Sequence, residues 1–256
     1  MKQAHSREDA KSAVFVVTRP APGHESLMQE LAARGLSVLH NPGFRLESEP
    51  RPRLERRLAE LPKFDLAIVT SPTAARLVTA SGPRTGIGNV RVVVPGRGTA
   101  SILEQAGISA DFPEAGGTSE HILAMTEARD IHPERVAIVG APGGRSLIAR
   151  EFSRRGAEVA PIHLYRRVPV APNPSLVDAL EQGADLVNLI SSGQALQTIL
   201  AGLPAPLREA WLASLFVVSS KRLAAACRDA GVHRLRIASG ASDEAMLTAA
   251  LRPGEC

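Results

Sequence analysis

Six short turns hold the residues of this chain best suited to bind an anion: Thr18-Arg19-Pro20, Thr70-Ser71-Pro72, Gly96-Arg97-Gly98-Thr99, Gly140 to Arg145, Ser191-Ser192-Gly193 and Ser219-Ser220-Lys221-Arg222. Each follows a short apolar run and opens a helical pattern. Gly, Ser and Thr leave backbone N–H groups accessible, and a helix N-terminus adds partial positive charge, so such turns attract carboxylate or phosphate. Four of them also carry arginine: Arg19, Arg97, Arg145 and Arg222. A cation there opposes the helix dipole at a cost of about 0.3–1 kcal/mol per site, which makes sense when a multiply charged anion lies nearby. The candidate anion ligands are Arg19, Thr70, Ser71, Gly98, Thr99, Gly143, Gly144, Arg145, Ser191, Ser192, Gly193, Ser220 and Arg222. Plainer roles compete with that one. A single arginine is equally well explained as solvated surface, and Thr99 as a helix cap worth about 1 kcal/mol.

Other chemistries lack their signatures. No GxxxxGK[ST] is present, Gly96-Arg97-Gly98 and Gly140-Ala141-Pro142-Gly143-Gly144 miss the third glycine of a dinucleotide fingerprint, and no HExxH occurs. Ser71, Ser191 and Ser192 are not in a GxSxG elbow. No metal and no nucleotide cofactor is therefore expected. The two cysteines, Cys227 and Cys256, form no zinc pattern or disulfide framework and suit a reducing cytoplasm. The net charge of +4 rests almost wholly on arginine, since lysine stands only at positions 2, 11, 63 and 221. That bias favours bidentate pairing with anions, and a GC-rich genome produces the same bias. With six Phe, one Tyr and one Trp there is little for base stacking, and no nucleic-acid motif is present. No apolar run approaches the roughly 20 residues that span a bilayer. Neither nucleic acid nor membrane is an expected partner; a monomer acting on a small molecule is.

The elements that position these turns repeat. Continuous apolar runs at Val14–Val17, Leu66–Val69, Val90–Val94, Arg135–Val139, Leu186–Ile190 and Leu215–Val218, with weaker runs at 37–39, 158–161 and 235–237, predict strands covered on both faces. Gly35, Gly107, Gly156 and Gly231 each follow a helical pattern as C′ residues should. Asp65-Leu66 leads through an apolar run to Ser71 as Asp185-Leu186 leads to Ser191, and Val14–Val17 through Gly35 matches Val136–Val139 through Gly156. The chain thus reads as A–B–A′–B′, two similar α/β domains with parallel sheets flanked by helices, a design that binds small ligands between domains. His40-Asn41-Pro42-Gly43-Phe44 and His163-Leu164-Tyr165-Arg166-Arg167 occupy equivalent places and read as crossings between domains. These predict a disordered tail over 1–13, one domain of 14–40 plus 168–256, a second of 45–163, and linkers at 41–44 and 164–167. Two consecutive halves remain the alternative pairing.

In the order and spacing of its pieces the chain resembles the uroporphyrinogen-III synthases, ring-closing lyases of tetrapyrrole and haem biosynthesis. The resemblance runs from Val14 to Leu251 and rests on Val16-Val17-Thr18-Arg19-Pro20, on Ile68-Val69-Thr70-Ser71-Pro72, and on Gly143-Gly144-Arg145 through Arg155-Gly156-Ala157-Glu158-Val159 to Leu164-Tyr165-Arg166-Arg167. The last turn departs from the family, with Ser219-Ser220-Lys221-Arg222 where many members have Gly-Pro-Thr-Thr, while Thr99 stands where the family has a threonine. The resemblance implies a second domain inserted into the first, a two-stranded linker, and hydroxymethylbilane as substrate, a linear tetrapyrrole with carboxylate side chains on every ring. It implies loss of the terminal hydroxyl as water, attack by ring D at its substituted carbon, and closure with ring D inverted. It also places the family's functional tyrosine at Tyr165, here the only tyrosine. A packing tyrosine in the linker is the alternative role. The competing function is a two-domain protein that closes on an anionic metabolite without chemistry.

Overall fold

The computed structural model describes residues 13–80, 87, 90–114, 116–143 and 146–252. The tail expected over 1–13 therefore lies, all but Ala13, outside the described residues. The chain divides into two compact units, one running to Leu46 and resuming at Val168, the other spanning Glu47–Arg167. In chain order, β1 (Val14–Val17), α1 (Glu25–Ala33) and β2 (Ser37–His40) open the first unit, and β3 (Phe44–Ser48) leads out of it. The second unit contains α2 (Arg51–Leu58), β4 (Leu66–Val69), α3 (Pro72–Ala80), β5 (Arg91–Val93), α4 (Arg97–Glu104), α5 (Ser119–Ala128), β6 (Arg135–Gly140), α6 (Leu147–Arg154) and β7 (Glu158–His163). The chain returns through β8 (Tyr165–Pro169) to α7 (Pro174–Glu181), β9 (Leu186–Ile190), α8 (Gly193–Gly202), α9 (Ala205–Ala213), β10 (Leu215–Val218), α10 (Lys221–Asp229), β11 (Arg234–Ile237) and α11 (Asp243–Ala250).

The first unit's sheet has the order β11-β10-β9-β1-β2 and the second unit's β5-β4-β6-β7; all neighbours run parallel. Segment A therefore shares a sheet with B′, and B with A′. A single parallel bridge, Val93 to Asp111, extends the second sheet where β11 extends the first. The parallel sheets follow from the apolar runs. Leu186 and Ile190 of β9 pack on one face with Trp211 and Phe216, while Val187 and Leu189 pack on the other with Phe15, Leu27 and Met246. In the second unit Leu66, Ile68 and Val136 pack against Ile122, Ile148 and Phe152. Each such side chain, fully buried, stabilises the fold by about 1.5–3 kcal/mol. The glycines expected to end helices, Gly35, Gly107, Gly156 and Gly231, all have positive φ.

Three features differ from the sequence-based expectation. The linker segments, expected at 41–44 and 164–167, are strands β3 and β8, which pair with each other and reach Ser48 and Pro169. Residues 41–43 belong to the first unit: Asn41 is fully buried and its Oδ1 accepts from the Asn173 N–H at 2.7 Å. Gly43 lies so close to α8 that a Cβ there would come within 2.5 Å of the Ala195 Cα, which only glycine allows. Finally, α9 is a helix with no counterpart among the described residues of the second unit, and it brings Trp211 under the sheet. Trp211 Nε1 donates to Asn188 Oδ1 at 2.7 Å, Asn188 Nδ2 donates to Ser214 Oγ at 2.6 Å, and Trp211 meets Phe216 edge-on at 4.8 Å.

Candidate functional site

In open parallel sheets ligands bind beyond the carboxyl ends of the strands, where the strand order reverses. That reversal falls between β4 and β6 in the second unit and between β1 and β9 in the first. The turns singled out from sequence sit at these ends, and each reversal is drawn together by a threonine. Thr70 Oγ1 donates to the Val139 carbonyl at 3.0 Å, and Thr18 Oγ1 to the Leu189 carbonyl at 2.8 Å. Thr70 is thereby held toward its own sheet. Gly140 is needed beside it, because a Cβ there would lie 2.2 Å from Thr70 Oγ1.

The second unit brings two of the candidates into contact. Ser71 Oγ lies 2.9 Å from the Tyr165 hydroxyl and accepts from the Ala74 N–H at 3.1 Å, so the same oxygen caps α3 and meets the phenol. Tyr165 is the first residue of β8 and its side chain is buried at 3% exposure, whereas Ser71 is partly exposed. Ring and hydroxyl thus have separate surroundings: the ring is packed, and the hydroxyl meets the N-terminal turn of a helix. A third turn adds a recess. Arg97 extends over the Phe112 ring at 5.0 Å, and with Pro95, Gly96, Gly116 and Gly117 it lines a cavity of about 410 Å3. Gly98 lies in the first turn of α4. Thr99 is in that turn too, but Gly96 is the residue that precedes the helix, and Thr99 is buried at 5% exposure. It is therefore not the helix cap. Gly143 follows β6 with φ of +72°; Gly144 and Arg145 lie outside the described residues.

In the first unit, serines cap two of the helices at this edge. Ser192 Oγ accepts from the Ala195 N–H at 3.4 Å, and Ser220 Oγ from the Leu223 N–H at 3.3 Å. The repeat spacing equates Ser71 with Ser191, yet the capping pair is Ser71 and Ser192, because β9 runs one residue further than β4. Ser191 stands between strand and cap, Gly193 opens α8, and Arg222 is exposed in the first turn of α10.

Arg19 is engaged within its own unit. Its guanidinium donates to Asp243 Oδ1 at 2.5 Å, to the Ala241 carbonyl at 2.8 Å and to the Gly23 carbonyl at 3.0 Å. The Asp243 carboxylate lies in the first turn of α11, so the arginine ties the turn after β1 to that helix. Arg19→Ala is expected to lower stability by about 1 kcal/mol in a thermal or urea melt, the size of a partly buried ion pair with hydrogen bonds. An unchanged melt would contradict the tie. Beside it, residues that motif reasoning did not select come together: His40 Nε2 contacts the Arg19 carbonyl at 2.8 Å, and the His40 and His24 rings stack at 3.8 Å. Burial pushes the His40 pKa below its ordinary value, against the opposing pull of the Arg19 carbonyl. No spacing rule could have found this pair. Cys227 is no nucleophile: it lies on the buried face of α10, and burial pushes its thiol up to about 11.

Sequence and structure comparisons place these features in a family. The family profile described as "Uroporphyrinogen-III synthase HemD" matches residues 25–248. A uroporphyrinogen-III synthase of Salmonella typhimurium is 30% identical over 243 residues, covering 92% of this chain and 98% of its own. One from Escherichia coli is 29% identical with the same coverage. Among solved structures, a uroporphyrinogen III synthase of Thermus thermophilus superposes with a TM-score of 0.63 at 20% identity, covering 92% of this chain and 96% of its own. The Helicobacter pylori enzyme superposes with a TM-score of 0.59 at 15% identity, covering 93% and 98%. These two likenesses concern the fold. With the profile spanning most of the sequence, the chain belongs to the uroporphyrinogen-III synthase family.

Proposed function

We propose that this chain, a lyase of the uroporphyrinogen-III synthase family, converts hydroxymethylbilane to uroporphyrinogen III with loss of water and inversion of ring D, and that Tyr165 assists departure of the hydroxyl. The observation that carries the reading is the Tyr165 hydroxyl set 2.9 Å from Ser71 Oγ at the strand-order reversal of the second unit. A hydroxide leaves poorly unless its oxygen is hydrogen-bonded or protonated as the C–O bond breaks. The phenol O–H donates to that oxygen, the bond pair moves onto it, and the pyrrole nitrogen lone pair fills the deficit to give an azafulvene cation. The substituted carbon of ring D then attacks, the spiro intermediate opens, and the free α carbon of ring D recloses the ring with inversion. The proton that carbon gives up as the pyrrole re-forms balances the one the departing hydroxide takes up to leave as water.

The remaining work is positioning. The substrate is flexible and closes unaided without inversion, so holding its ends in one geometry removes an entropic obstacle. Carboxylates suit the N–H groups of the turns at Gly98, Gly143, Ser191–Gly193 and Ser220, with Arg97 and Arg222 as exposed cations at two of these helix starts. Thr70, Thr99, Gly144, Arg145 and Arg19 remain in the proposed binding set by resemblance, with Arg19 acting through its tie to Asp243. No helix among the described residues is long and apolar enough to cross a membrane. The enzyme is proposed to act in the cytoplasm as a monomer. It is tested by supplying hydroxymethylbilane and following its disappearance with and without the protein. Consumption faster than spontaneous closure supports it; an unchanged rate defeats it.

A further inference from the structure

Ser71 Oγ touches two groups, and the donor role of Tyr165 decides what the serine does. The oxygen carries one hydrogen and accepts from the Ala74 N–H at 3.1 Å, while the Tyr165 hydroxyl lies 2.9 Å away. Among the described residues, Ser71 Oγ is the one hydrogen-bond partner of that phenol, and the Ser71 hydroxyl has no other acceptor. If Tyr165 donated to Ser71, the phenol proton would be spent on the serine and could not serve a substrate oxygen, while the partly exposed Ser71 hydroxyl could turn to solvent. If Ser71 donates to Tyr165, the phenol proton stays available for a substrate oxygen, which the role proposed for Tyr165 requires. Pro72 at the first position of α3 has no N–H to compete, so the Ala74 N–H is directed at Ser71.

Resting on the reading of Tyr165 above, we propose that Ser71 is a positioning residue: it donates to the Tyr165 oxygen and turns the phenol proton outward toward a substrate oxygen. The chain of donors then runs Ala74 N–H to Ser71 Oγ, Ser71 O–H to Tyr165 Oη, and Tyr165 O–H to substrate. Each bond polarises the next, so a helix N-terminus feeds its partial charge into the phenol as a donor. Ser71 thereby acts through Tyr165 rather than holding substrate itself.

The single tyrosine makes the test selective, because the intensity ratio of the tyrosine Raman doublet, which rises when a phenol accepts and falls when it only donates, reports Tyr165 alone. In the substrate-free protein, Ser71→Ala lowers this ratio and Ser71→Thr restores it. An unchanged or raised ratio overturns the proposed direction. In steady state, Ser71→Ala lowers kcat about tenfold, the size of one hydrogen bond, with KM within about twofold. Because the serine acts through the phenol, Ser71→Ala costs nothing further in a Tyr165→Phe background; multiplying losses would overturn the relay. Should Ser71→Ala unfold α3, Ser71→Gly removes the hydroxyl at a capping cost of only a few tenths of a kcal/mol. Full activity of Tyr165→Phe, with the Raman response of Ser71→Ala intact, would defeat the role of the tyrosine. An inactive Tyr165→Phe with no Raman response in Ser71→Ala would defeat the relay alone.

Discussion

Tyr165→Phe lowers kcat by about 10- to 100-fold, in the lower range for loss of an acid–base or hydrogen-bonding group, while the folded state survives. The two halves of that expectation have separate causes. The ring is buried at 3% exposure and phenylalanine refills its volume, so packing is retained. The lost hydroxyl frees Ser71 Oγ, which still accepts from Ala74 and is exposed enough to find water. Stability therefore changes by about 1 kcal/mol or less, the net worth of one hydrogen bond. Steady-state kinetics beside a thermal melt separate the effects. A variant with full activity removes Tyr165 from the mechanism; one that is inactive because it is unfolded makes it a packing residue.

The largest stability effect is expected at Trp211. Its side chain is fully buried, stacks edge-on with Phe216 at 4.8 Å and donates to Asn188 Oδ1 at 2.7 Å. Trp211→Ala costs about 3–5 kcal/mol from lost burial and the cavity left behind. Asn188 makes it worse. This residue is fully buried in β9, where its Nδ2 still bonds Ser214, but its Oδ1 would be left without the indole donor. Urea unfolding followed by circular dichroism, needed because the only tryptophan is the one removed, gives the magnitude. Trp211→Phe keeps part of the ring volume but not the donor and falls between. A loss under about 1 kcal/mol for the alanine variant would mean that α9 does not anchor the first unit.

Local pattern carried most of the fold. The runs at Val14–Val17, Leu66–Val69, Leu186–Ile190 and Leu215–Val218 became strands with those bounds, because strands buried on both faces need uninterrupted apolar residues. The family, too, was legible from the order of the turns. What stayed hidden depends on partners remote in sequence. Arg19 looks like an open cation until Asp243, 224 positions away, is folded onto it. Asn188 reads as a polar interruption in an apolar strand until Trp211 arrives 23 positions later. The linker bounds slipped because Asn41 and Gly43 are fixed by Asn173 and Ala195, contacts that no local rule encodes. The Ser71–Tyr165 hydrogen bond spans 94 positions, and only the fold could reveal that two separately chosen candidates touch.

This chain is expected to direct ring closure rather than merely bind an anionic tetrapyrrole. Hydroxymethylbilane generated in situ, given to the protein and then oxidised, yields porphyrin isomers that chromatography separates. Mainly type III is expected, in which ring D is inverted. Only type I, the product of unassisted closure, would contradict it and leave a two-unit protein that holds a polycarboxylate without turning it over.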